Sequence, residues 1–269
     1  MTERSDLIAV TGAASGLGAA LTKRLGEAGR GTLGIDLTGA DVDADLASAA
    51  GRKAAIEAIL ARGNGGLEGL VVAAGVGPYG SPETIVAVNY FGSMQLIDEL
   101  RPALAEGREA AAVTIASIVG FFDGSIVSAL VDACLEGDEP AALALSREVT
   151  GTQAYSSVKR AIVIATRRRA AEWGAAGVRL NCVVPGNMST PMLEGVYATA
   201  GMGDQTRAMP VPLGRDGAAA EVAAVVAFLL GEGASYVHGA AVPVDGGVLA
   251  GLQPDPFEGP RPGSVEVEG

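Results

Sequence analysis

The feature that most constrains this chain is a set of nearly unbroken apolar runs: "LIAV", "LVVAA", "AAAVTIA" and "CVVP". A strand with one wet face alternates apolar and polar residues. A continuous run of strand length instead suits a parallel sheet covered on both faces. Helical patterns separate these runs. Leu17, Ala20, Leu21 and Leu25 recur at helical spacing. "GRKAAIEAILARG", the stretch from about Pro82 to Leu104, "QAYSSVKRAIVIATRRRAAEWG" and "AAAEVAAVVAFLLG" read the same way. "GTLGID" and "AAVPVDGG" add two shorter strands. Strand and helix in alternation predict one α/β domain over about residues 1–250, a doubly wound parallel sheet with helices on both faces. Residues 251–269, rich in Pro, Gly and Glu, read as a flexible tail.

Composition narrows the function. A net charge of −12 argues against a nucleic-acid partner, which needs clustered Lys and Arg. The one basic run, Arg167 to Arg169, falls on a helical pattern and reads as a solvated or subunit-facing edge. No apolar stretch is long and uncharged enough to predict a membrane span. The opening "MTERSDLIAV" lacks a signal-peptide core. A cytoplasmic protein is expected, with Cys134 and Cys182 as reduced thiols. No residue cluster has metal-ligand spacing, and the single histidine, His238, reads as packing.

The turn after the first strand is "TGAASGLG", with Gly12, Gly16 and Gly18 leading into a helix. Glycine there lets backbone approach a pyrophosphate, and the helix N-terminus offers free N–H groups to it. Ser15, Leu17 and these glycines are the expected phosphate contacts. Asp36 ends the second strand, 18 residues beyond Gly18. That is the place for a carboxylate that binds ribose hydroxyls, in a Rossmann-like arrangement. It would repel a 2′-phosphate, and neither the turn nor "IDLTG" holds a base to attract one. The cofactor expected is NAD.

At this point the chain resembles the short-chain dehydrogenase/reductase family over about residues 6–249. The motifs "TGAASGLG", "DADL", "AAG" at 73–75, "VNYFG", "IAS", "YSSVK", "VVPG" and "VDGG" stand in the family's order. Two departures stand out. The family's "NNAG" reads "VAAG", and about 25 extra residues lie between Ser117 and Tyr155, an insertion of one or two helices over about 121–152. The resemblance implies that Asp45 and Leu46 contact adenine, with Leu37, Ala74 and Gly75 along the adenosine. It implies that Pro185, Gly186, Met188 and Thr190 lie along the nicotinamide. It also implies a catalytic set of Asn89, Ser117, Tyr155 and Lys159. Ser117 would hold the substrate oxygen. The Asn89 side chain would deform its helix and hold a water that relays protons from the lysine.

Tyr155 and Lys159 are four apart and share a helix face. The ammonium is expected to lower the phenol's pKa, with bound NAD+ adding a second positive charge. Moving a phenol from about 10 towards 7 takes about 4 kcal/mol. Tyr155 would then exchange a proton with a secondary alcohol or ketone. A non-catalytic NAD-binding regulator would be expected to break the Ser/Tyr/Lys set, which is intact here.

Longer segments, the insertion among them, resemble one bacterial subgroup of the family, the 3-alpha-hydroxysteroid dehydrogenase/carbonyl reductases. That implies a ring secondary alcohol as substrate. The segment at about 187–213, expected to be mobile, carries Met188, Met192, Leu193, Val196, Tyr197, Met202 and Met209. With Phe121 and Phe122 opposite, these would line an apolar cleft suited to a steroid. In the family the helix carrying Tyr155 commonly pairs across a two-fold axis. The insertion would crowd that interface, so a homodimer rather than a tetramer is expected.

Overall fold

The computed structural model describes residues 6–64 and 66–252. Of the expected tail, Gly251 and Leu252 end a short helix, and the rest lies outside the described residues. Among the described residues nine strands form in chain order: β1 Ile8–Thr11, β2 Thr32–Asp36, β3 Val42–Asp43, β4 Gly69–Val72, β5 Ala111–Ile115, β6 Arg179–Pro185, β7 Met188–Ser189, β8 Gly217–Ala218 and β9 Ala241–Val244. The helices are α1 Gly16–Glu27, α2 Ala49–Arg62, α3 Pro82–Val86, α4 Ser93–Ala105, α5 Ser128–Glu136, α6 Glu139–Ser146, α7 Gly151–Ala175, α8 Pro191–Ala198, α9 Met202–Ala208, α10 Ala219–Leu230 and α11 Val248–Leu252.

Seven strands make one parallel sheet in the order β3-β2-β1-β4-β5-β6-β9, and β7 pairs with β8 apart from it. The apolar runs lie where their composition demands: β1, β4 and β5 are buried at every residue. Helices α2, α4 and α7 cover one face, and α1 and α10 the other. Chain order reverses direction at β1, between β2 and β4, and opens a crevice at the carboxyl edge. Among the described residues no helix is long and apolar enough to cross a membrane.

The stretch from Pro82 to Ala105 is not one regular helix. A turn of wider π-type helix, Ala87–Gly92, joins α3 to α4. Two helices, α5 and α6, occupy the insertion. Asp138 caps α6 by accepting from Ala141 N–H at 3.0 Å. Glu139, in the first turn of α6, takes both ends of the Arg52 guanidinium at 3.0 and 2.8 Å. Arg52 is 4% exposed, so losing Glu139 would leave a buried charge alone, at about 3–5 kcal/mol. That bridge fixes the insertion to α2, while α5 lies along α7. His238 does belong to packing. Its Nδ1 accepts from Leu180 N–H at 3.0 Å, which leaves Nε2 to donate to Ala170 O at 2.7 Å. Cys134 and Cys182 are buried, free thiols.

Candidate active site

The site grows from the carboxyl ends of β1, β2, β4, β5 and β6. Gly12 has φ +73°, and a methyl group built there would lie 2.8 Å from Ala74 N. One built on Gly18 would strike the Gly12 carbonyl. These contacts leave a bare backbone cradle at the start of α1. Ser15 caps that helix in an extended conformation, with its hydroxyl free of any capping bond. At the "VAAG" turn, Thr11 Oγ1 accepts from Ala74 N–H at 3.0 Å and ties β1 to the end of β4.

Asp36 is held rather than loose. Its Oδ2 accepts from Ala14 N–H at 2.9 Å and its Oδ1 from Leu37 N–H at 2.7 Å. The carboxylate therefore stands beside the phosphate turn, with Leu37 63% exposed as a lip of the cleft. Asp45 accepts from Ala47 N–H at 2.9 Å just before α2, and Leu46 is buried beneath it. At the other end of the cleft, Thr190 caps α8 and turns its methyl towards Gly16. Gly186 N–H donates to Val244 O at 3.1 Å, which docks the Pro185–Gly186 turn on the last strand.

Tyr155 and Lys159 come from the first turns of α7. A capping box starts that helix, Thr150 Oγ1 accepting from Gln153 N–H at 3.2 Å while Gln153 Oε1 accepts from Thr150 N–H at 3.0 Å. Lys159 Nζ lies 5.4 Å from the Tyr155 ring centroid and donates to Ile115 O at 2.8 Å. It is 6% exposed. Ser117, two residues beyond β5, is extended, and its hydroxyl does not cap the turn that follows. It lies close enough to stabilise a Tyr155 phenolate.

The electrostatics correct one expectation. Burial pushes the Tyr155 phenol up to about 12, against the opposing pull of Ser117. Burial also brings Lys159 down to about 8. In the chain alone, loss of water around the phenol outweighs the bond from Ser117. Asn89 lies within the π turn, a deformed stretch of helix as the resemblance implies. Its Oδ1 accepts from Val76 N–H at 2.7 Å and its Nδ2 donates to Val76 O at 2.9 Å. Both ends of the amide are spent on the β4 loop, which holds the π turn. The side chain does not line the cleft.

One cavity of about 1020 Å³ runs from Asp36 to α9, and every residue expected to hold the cofactor lines it. Lys159 is the only Lys or Arg among the described lining residues. Met188, Met192, Leu193, Val196, Met202 and Met209 face the same cavity. Two expected wall residues do not. Tyr197 turns away to donate to Asp216 Oδ2 at 2.7 Å, with Arg207 over its ring. Phe121 packs into the core, and Phe122 alone reaches the cleft. Sequence reasoning missed Val119, Thr152, Gln205 and Thr206 in the wall. The spacing of Met202, Gln205, Thr206 and Met209 marks one face of α9 and could have shown the last two.

Comparison with known proteins agrees with this geometry. The short chain dehydrogenase family model matches residues 6–129, and a second, described as Enoyl-(Acyl carrier protein) reductase, matches 141–249. The chain is 41% identical over 256 residues to the 3-alpha-hydroxysteroid dehydrogenase/carbonyl reductase of Comamonas testosteroni, covering 94% of this chain and 100% of that protein. It is 31% identical over 259 residues to the cis-4-hydroxycyclohexanecarboxylate dehydrogenase of Sinomonas cyclohexanicum, covering 90% and 95%. Among solved structures, the NADH complex of 3-alpha-hydroxysteroid dehydrogenase from Pseudomonas sp. B-0831 superposes with a TM-score of 0.91 at 42% identity, over 93% of this chain and 100% of that one.

Proposed function

The chain belongs to the short-chain dehydrogenase/reductase family of oxidoreductases, and we propose that it oxidises an apolar ring alcohol, a 3α-hydroxysteroid or a close analogue, with NAD+ and reduces the ketone in reverse. One observation carries this reading. Ser117, Tyr155 and Lys159 meet at a cavity whose far wall is mainly methionine, leucine and valine, with Thr199, Gln205 and Thr206 as neutral polar groups and no charged side chain among them. Such a wall offers no opposite charge to a carboxylate or phosphate. A rigid hydrocarbon skeleton gains about 25 cal/mol per Å² of apolar surface buried and has few rotors to freeze.

The residues present fit NAD. The cradle at Gly12 and Gly18 admits a pyrophosphate, Asp36 faces the ribose position, and no base near it would welcome a 2′-phosphate. Bound NAD+ supplies the two-electron acceptor. Ser117 donates to the substrate oxygen and holds it at the phenol. Tyr155 takes the hydroxyl proton during oxidation and returns it during reduction. Bringing a phenol from about 12 to neutrality takes about 7 kcal/mol, so Tyr155 holds its proton until the site is filled. Lys159, fixed on Ile115 O, places its charge under the ring and exchanges protons near pH 8.

We read the protein as cytoplasmic and as a homodimer; α5 and α6 pack over α7, α3 and the π turn, on the helix that the family resemblance implies would pair in a tetramer. A screen of 3α- and 3β-hydroxysteroids, cyclic alcohols and sugar alcohols, followed by NADH absorbance, tests the substrate reading. It predicts steroid turnover. Sugar alcohols turning over while both steroid epimers fail would refute the steroid assignment.

A further inference from the structure

After β4 the chain reads Gly77-Pro78-Tyr79-Gly80 and closes as a tight turn, Gly80 N–H donating to Gly77 O at 3.0 Å. Proline at the second position presets that turn. The turn is seated on the catalytic helix: a methyl group built on Gly151, the first residue of α7, would strike the Pro78 carbonyl. Tyr79 thus starts from a fixed base and reaches across to α8. A methyl group built on Gly195 would lie 2.5–2.7 Å from Tyr79 ring atoms and its hydroxyl. One built on Gly77 would lie 2.7 Å from the ring and 3.0 Å from Met192 Cγ. The ring occupies a slot that two absent side chains leave open, with Met192 at its flank. The other side of Met192 faces the reaction site: its Sδ lies 4.0 Å from the Tyr155 hydroxyl. Tyr79 is 47% exposed and stands outside the cavity lining, so it acts on the chamber from behind.

We propose that Tyr79 and Gly195 form a clasp that holds α8, and with it Met192, over the Tyr155 phenol. Tyr79 is then a specificity-determining positioning residue for flat, apolar ring substrates. A steroid spans α8 and needs it in place. A small alcohol touches only the groups around Tyr155. This inference rests on the ring-alcohol reading for its substrate but not for its mechanics.

The test compares wild type with Tyr79→Ala, Tyr79→Phe and Gly195→Ala. The last variant expels the ring without altering it. Hydrogen exchange of Pro191–Ala198 reports the clasp with no substrate present. Tyr79→Ala and Gly195→Ala are expected to speed that exchange at least about tenfold. KM for a 3α-hydroxysteroid should rise at least about tenfold with kcat little changed, while cyclohexanol kinetics and NADH binding stay as in wild type. Tyr79→Phe should behave as wild type. Unchanged α8 exchange in both clasp variants would overturn the proposal, as would an equal loss for both alcohols accompanied by weaker NADH binding. If wild type itself fails to oxidise the steroid, the ring-alcohol reading falls, and α8 exchange alone decides the clasp.

Discussion

Replacing Lys159 with methionine should abolish turnover and make the fold more stable. The aliphatic stem would be kept and the buried ammonium removed. Burial lowers the lysine from 10.5 to about 8, so at pH 7 its charge is less favourable in the folded state than in the unfolded one by about 3 kcal/mol. The sign follows from proton counts. Between pH 8 and 10.5 the unfolded chain binds the lysine proton more fully than the folded chain does. This site's contribution to stability therefore rises with pH through that window. Below pH 8 the full penalty stands. Methionine forfeits the bond to Ile115 O, about 1–3 kcal/mol for a charged donor, so the net gain at pH 7 is small. The diagnostic quantity is the slope. The wild-type minus Lys159→Met difference in urea unfolding free energy should move in favour of wild type as pH rises from 7 to 9.5. Cys182 interacts electrostatically with Lys159, but burial holds its thiol at about 11, above this window, and the remaining buried thiol and tyrosines are common to both proteins. A difference independent of pH, or one moving the other way, would refute the reasoning.

Tyr155→Phe keeps the ring on the helix and removes the proton carrier, so kcat should fall at least about 100-fold while NADH fluorescence titration shows intact binding. NAD+ should be preferred over NADP+ by at least about tenfold in kcat/KM with one alcohol, and Asp36→Ser should narrow that ratio; equal values in wild type would count against the ribose role. Sedimentation of the wild type should give a dimer, and a tetramer would mean that α5 and α6 leave the second interface free.

Much of this was legible in the chain. Apolar runs of strand length between turns suit central strands, and longer ones such as that of α10 suit a helix, so the sheet and the glycine turn that joins β1 to α1 followed from run length and spacing. β3 did not, because two residues are too few to show a period. The π turn at Asn89 was invisible to spacing for a different reason. It is held by Val76, thirteen residues away, and no local pattern reports that bond. Adjacent aromatics defeated the reading of the cleft: a short turn after β5 decides that Phe122 faces in and Phe121 does not. Charge proximity was legible at Tyr155, but the solvent lost around the phenol was not, and that set the direction of its shift.

The place of β9 has a consequence for how the protein is made. Among the described residues it is the last strand and the edge of the sheet, pairing only with β6 from Cys182↔Ala241 to Pro185↔Val244. Gly186 packs against Asp245, and its N–H is satisfied by Val244 O. On the ribosome, the six strands before β9 can assemble while this partner is still inside the exit tunnel. The half of the cleft at β1 and β2 is then already built, but β6 presents an open edge and the Pro185–Gly186 turn lacks the Val244 carbonyl it settles on. Until β9 pairs, the exposed edge of β6 is where a nascent chain is open to mispairing or to capture by a chaperone.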